Sequence, residues 1–126
     1  MELRSIYYCK KCKNLVELTS VGGGTLVCCG EPMILLEANT EDAANEKHVP
    51  VVESTAKGIK VTVGSVEHPM IDTHWIEFIE VLTEDGIYRK ELKPGMAPVA
   101  EFNINIDEVI EVREFCNLHM LWSYKK

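Results

Sequence analysis

Three things are missing from this chain, and each absence removes a class of function. There is no basic excess: 13 Lys and Arg stand against 20 Asp and Glu, a formal charge of −7. A nucleic-acid surface needs clustered cations to displace counterions from phosphate, so this balance argues against such a partner. There is no apolar run near the roughly 20 residues of a membrane span, and Met1-Glu2-Leu3-Arg4-Ser5 opens no apolar signal segment. No membrane partner is therefore expected, and the cytoplasm is the expected compartment. Finally, the cysteines do not come in an even number. Five of them cannot all pair, and in a reducing compartment they serve as thiolate ligands or catalysts rather than disulfides. Internal repeats, low-complexity segments and a convincing long helix are absent too.

What is present changes character once along the chain. Residues 1–37 hold four of the five cysteines and no histidine, whereas residues 38–126 hold all four histidines and the remaining cysteine. This split reads as a boundary between a small module and one ordinary domain of about 90 residues. The module shows short strands and turns: Ser5 to Tyr8, Cys9-Lys10-Lys11-Cys12, an alternating Leu15 to Leu18, the Gly22-Gly23-Gly24 turn, then Leu26-Val27 before Cys28-Cys29. So little core calls for a bound metal or a second chain to hold it.

Beyond a polar segment, 39–45, in which Asn39 or Thr40 is suited to cap one helical turn, the period becomes two. Ile59, Val61 and Val63 alternate with polar residues. Trp75 to Leu82 runs into the hairpin signal Glu84-Asp85-Gly86, Lys93-Pro94-Gly95 turns, Phe102, Ile104 and Ile106 alternate, and Val109 to Phe115 delivers Cys116. Short strands with turn residues between them predict an antiparallel β-sandwich.

Two constellations carry chemistry. Cys9-x-x-Cys12 with Cys28-Cys29 offers four sulfurs for tetrahedral zinc or a single iron. Adjacent cysteines are unusual here, because neighbouring side chains on extended backbone point to opposite faces, so binding both is expected to distort the tetrahedron. A zinc ribbon remains the plainer alternative on spacing alone. The second constellation is His48, His68, His74, Cys116 and His119. Singly, each histidine reads as a surface or satisfied core residue; together, near strand ends, they can converge as four imidazoles and one thiolate with one coordination position open. Such donors favour iron, copper or zinc over magnesium or calcium.

The motifs "CKKC", "LVCCGEPM", "NTEDAANEKHVPVVE", "VGSVEHPMIDTHWIEFIEV", "LKPGMAP" and "EFCNLHMLWS", in that order over nearly the whole chain, resemble desulfoferrodoxin, the two-iron form of superoxide reductase. The resemblance implies a desulforedoxin-like domain over residues 1–37, with one iron on Cys9, Cys12, Cys28 and Cys29. It implies an immunoglobulin-like sandwich over residues 38–126, with His48, His68, His74 and His119 in a plane around a second iron and Cys116 as the axial thiolate. The implied activity is one-electron reduction of superoxide to hydrogen peroxide, with rubredoxin or a similar small carrier as electron donor and a homodimeric assembly.

Glu46 and Lys47 by themselves read as a solvated surface pair. The family match of "EKH" implies instead that Lys47 attracts the anion and supplies a hydrogen-bonded water, while Glu46 fills the open position of the oxidised iron. One departure stands out: the family commonly has Gly after the last histidine, and here Met120 follows His119. Trp75 and Trp122 read as core, although both lie near the ligands. A cupredoxin-like electron carrier is the rival reading, since two histidines and a cysteine on a sandwich can hold copper. That site needs neither His68 nor His74, and its methionine is expected farther on than Met120.

Overall fold

The computed structural model describes residues 1–42 and 47–126, and the chain divides into two compact units, Met1–Glu37 and Ala38–Lys126. The suggested helical turn over 39–45 falls in part outside the described residues. Asn39, its suggested cap, forms an isolated bridge with Trp122 instead.

The first unit contains β1 (Ile6–Tyr8), β2 (Leu15–Glu17), β3 (Val27–Cys28), β4 (Glu31–Pro32) and β5 (Ile34–Leu35). A three-stranded sheet has the order β2-β1-β5, and β3 pairs with β4 as a separate hairpin. Its buried apolar residues are few, chiefly Ile6, Tyr8 and Cys9, while Leu3, Val16, Val27, Ile34 and Leu35 are exposed.

The second unit is an antiparallel sandwich of β6 (Pro50–Thr55), β7 (Gly58–Val63), β8 (Ile76–Leu82), β9 (Ile87–Glu91), β10 (Val99–Phe102), β11 (Glu111–Cys116) and β12 (Met120–Lys125). One sheet has the order β10-β7-β6 and the other β12-β11-β8-β9. Alternation puts Ile59, Val61 and Val63 of β7 into the core, all fully buried, against Ile79, Val81 and Val112 of the facing sheet. Each such side chain contributes about 2 kcal/mol of apolar burial. The alternation expected through Ile104 and Ile106 does not persist: β10 ends at Phe102, and Ile106 opens a 3-10 helix, Ile106–Glu108, where the Asn105 side chain accepts from Asp107 N. The cap offers the backbone a local hydrogen bond that competes with continued pairing.

An ionic layer fixes the register of three strands. Glu80 of β8 is fully buried and stands opposite Arg113 of β11 and Arg89 of β9. One carboxylate oxygen accepts from Arg113 Nε at 3.2 Å and Nη2 at 2.9 Å, and the other from Arg89 Nε at 2.9 Å and Nη2 at 2.8 Å. Forked, charge-assisted bonds of this kind have one good geometry. A slip of β11 along β8 by one residue would break them and turn Cys116 to the wrong face.

Candidate metal centres

The first cluster lies on two turns. Cys9 N donates to Asn14 O at 3.0 Å and Lys13 N to Cys9 O at 2.9 Å, with Lys13 in the left-handed region at φ 71°, which curls Cys9 to Asn14 into a tight knuckle. The other turn explains the adjacent cysteines. Cys28 ends β3, but Cys29 is left-handed at φ 53° and Gly30 follows at φ 77°, so the backbone is not extended where the opposite-face rule would apply. The four sulfurs lie within 4.8 Å of one another, with Cys12 and Cys28 at 3.5 Å. A tetrahedron with metal–sulfur bonds of about 2.3 Å has an edge of about 3.8 Å. The cluster fits that size.

Its acid–base chemistry also calls for a cation. Hydrogen bonding from the Cys12 backbone N–H, aided by that of Lys11, brings the Cys9 thiol down to about 7 against opposing desolvation. Cys28 is pushed up and Cys29 reaches about 12, chiefly because the Cys12 and Cys9 sulfurs surround them. The first proton leaves readily and the last does not, unless a metal balances the accumulated charge.

The second cluster is built by the sandwich. His48 precedes β6, His68 follows β7, His74 precedes β8, Cys116 closes β11 and His119 stands in the turn before β12. A bulge aims one of them. Phe115 pairs with Phe78 but Cys116 with Ile76, so Glu77 is an extra residue in β8. Regular alternation through Glu77 would put Ile76 and His74 on the outer face; the bulge takes up the extra residue and returns them to the Cys116 side.

The imidazoles close a ring in the order His48, His68, His74, His119, with neighbouring centroids 4.5, 4.7, 5.2 and 4.9 Å apart. Ligand atoms of His48, His68, His74 and Cys116 all lie within 4.8 Å of one another. His119 approaches with Nδ1, 3.1 Å from His48 Nε2 and 3.9 Å from Cys116 Sγ, which is also 3.7 Å from His68 Nε2. Cys116, His48 and His68 are buried, whereas His119 is exposed.

Groups behind the ring orient it. The His68 Nδ1 lies 2.7 Å from Pro69 O, an acceptor, so Nδ1 carries the proton and Nε2 is left for a metal. His48 Nδ1 faces the fully buried carboxylate of Glu114 at 3.4 Å. Trp122 stacks on His48 at 4.6 Å and donates from Nε1 to His119 O at 2.8 Å. Asn117 latches the His74 segment to the β11–β12 turn: its Oδ1 accepts from Trp75 N at 2.9 Å and its Nδ2 donates to Thr73 O at 3.0 Å. Neither Glu114 nor Asn117 carries a local sequence signal for these roles, whereas Trp122 is buried as expected of a core residue and also stacks on His48. Lys47 is half-buried beside His48, and Glu46 lies outside the described residues.

Four thiolates on one small β unit, and imidazoles with a thiolate on a β-sandwich, define a metalloprotein with two distinct soft-donor centres. The chain belongs to the desulfoferrodoxin family: residues 40–125 match desulfoferrodoxin and residues 1–36 its N-terminal domain. It is 59% identical over 118 residues to desulfoferrodoxin of Nitratidesulfovibrio vulgaris, covering 94% of this chain and 93% of the relative. The superoxide reductase structure from Treponema pallidum superposes with a TM-score of 0.78 at 36% identity, covering 96% and 97% of the two chains. The one-iron superoxide reductase from Giardia intestinalis covers 65% of this chain and 98% of its own, with a TM-score of 0.54 at 26% identity. The two clusters match the family's two iron sites. The N-terminal centre is therefore an iron site rather than that of a zinc ribbon.

Proposed function

We propose that the chain is a superoxide reductase that joins superoxide, one electron and two protons into hydrogen peroxide at a centre held by His48, His68, His74, His119 and Cys116. The observation that carries this reading is the closed ring of four imidazoles with one buried cysteine at 3.7 and 3.9 Å from two of them. The superoxide reductases among the solved relatives support it. Iron at this centre supplies the electron, and the thiolate donates electron density that favours its transfer, as in thiolate-ligated haem.

The chain's own groups orient and protect the ligands. The Pro69 carbonyl sets the His68 tautomer, Glu114 steadies His48, and Trp122 covers one imidazole face. Lys47, next in sequence to His48, gives an overall acidic chain a local positive field that draws the superoxide anion and helps supply the water that delivers a proton. Glu46, which lies outside the described residues, keeps the role that the family resemblance assigns it.

Cys9, Cys12, Cys28 and Cys29 hold the other iron in a domain of residues 1–37, ahead of the catalytic domain of residues 38–126. A small one-electron carrier such as rubredoxin closes the cycle. Five cysteines, none of them joined in a disulfide, suit a reducing compartment such as the cytoplasm. No helix among the described residues is long and apolar enough to cross a membrane. The exposed Leu3, Val16, Val27, Ile34 and Leu35 of so small a unit support a homodimer.

The test is to mix pre-reduced protein with superoxide without oxygen, following iron oxidation, peroxide and oxygen. One iron oxidised per chain with peroxide formed is the expected result; catalytic oxygen release would mean dismutation instead. Lys47→Ile is expected to slow the reaction about tenfold with the iron spectrum unchanged. A rate equal to that of the parent would remove Lys47 from the mechanism.

A further inference from the structure

We propose that Asp42 and Gly64 are positioning residues for this site: they fix the backbone from Lys47 to Val49, so that the charge of Lys47 is carried at a set place beside His48. The inference rests on the role given to Lys47 above.

Asp42 is exposed and packs into no core, yet one of its oxygens, Oδ1, accepts from both His48 N and Val49 N, each at 2.8 Å. On a regular strand the N–H groups of consecutive residues point to opposite sides. Two of them on one oxygen therefore mean that the chain bends here, just before β6 begins at Pro50. An ionised carboxylate suits this task, because it accepts several short N–H bonds at once. The residue that bends the chain is thus not in the bend but six positions upstream of His48.

The anchor is itself anchored. Three residues earlier, Asn39 N donates to Leu121 O and Ser123 N donates to Asn39 O, both at 2.9 Å. These bonds tie the approach to Asp42 to β12, the strand paired with the one that carries Cys116. The far side of the bend is held by close packing. Gly64, left-handed at φ 81°, lies so near Lys47 that a Cβ there would stand 2.3 Å from the Lys47 carbonyl oxygen and 2.7 Å from that of Val66. Only glycine tolerates both the conformation and the contact.

Lys47 is accordingly mounted between two fixed points, a hydrogen-bonded one on the residue after it and a packed one on its own carbonyl. A steering charge works through its distance from the site, so freeing this backbone is expected to spread the charge over many positions and weaken its field at the metal.

The experiment uses the full-length, iron-loaded chain with Asp42→Ala and Asp42→Asn, each alone and combined with Lys47→Ile. Asn keeps an acceptor oxygen where Ala has none. Amide hydrogen exchange at His48 and Val49 reports the staple, and the rate with superoxide against ionic strength reports the steering. Asp42→Ala is expected to lose protection at both amides, to slow the reaction about threefold to tenfold and to flatten its salt dependence. Asp42→Asn should stay close to the parent, and Asp42→Ala should add nothing once Lys47 is Ile.

Gly64→Ala, which displaces the Lys47 carbonyl while leaving Asp42 intact, should slow the reaction in the same way. The proposal is overturned if Asp42→Ala slows the reaction by the same factor with and without Lys47, or if the rate holds although both amides exchange freely. If Lys47→Ile alone has no effect, the reading of Lys47 fails and takes the proposal with it, while the exchange data still show whether the staple exists.

Discussion

Glu114 shows what a single residue adds behind a metal ligand. Its carboxylate and the His48 ring are both fully buried, with Oε1 3.4 Å from Nδ1. At this ion-pair distance an ionised carboxylate would polarise the ring and make its other nitrogen a better donor. Glu114→Gln, which keeps the shape and removes the charge, is expected to weaken iron binding at the second site about 10- to 100-fold in chelator competition. Unchanged affinity would show that the carboxylate is not needed. In sequence Glu114 sits next to Arg113 and looks like half of a polar surface pair. On the strand the two point to opposite faces, one to Glu80 and one to His48, and both are buried. Met120 was visible as a departure from glycine, but its meaning was not. Its φ of 69° puts a side chain where backbone sterics favour Gly.

Among the elements, β8 matters most, because its bulge sets which face His74 reaches. Glu77, the extra residue, is half-buried, and desolvation pushes its carboxyl above the ordinary 4.5. With a raised folded-state value, the stability linked to the protonated form is fully present below pH 4.5 and is lost as pH rises through the higher folded value. At neutral pH the fold therefore carries a poorly solvated charge. Glu77→Gln is expected to raise the melting temperature at pH 7 and to give no gain near about pH 3, where both forms are neutral. An equal gain at both values would place the benefit elsewhere than in the charge. The Trp75 to Leu82 strand was legible from its apolar run, and the bulge was not, since an extra residue appears only when two strands are laid side by side. The same limit explains Ile104 and Ile106, where an alternating pattern met a local cap.

At the scale of the whole molecule, the small first unit leaves Val16, Val27, Ile34 and Leu35 in water, and a second copy is the proposed cover. Sedimentation of the iron-loaded protein is expected to give twice the chain mass of 14.2 kDa. A monomer at all concentrations would contradict the homodimer. The sequence by itself determined the division of donors, four thiols in one segment and four imidazoles with a thiol in the next, because donor chemistry is a property of residue type and the CxxC knuckle is local. It also determined the β character, through period-two alternation and turn residues. Only the tertiary structure decided how Cys29 reaches the same point as Cys28, why His74 faces Cys116, and that Asp42, Glu114 and Asn117 support the site. Those depend on left-handed turns, strand register and hydrogen bonds between distant positions, which form only once the chain has packed.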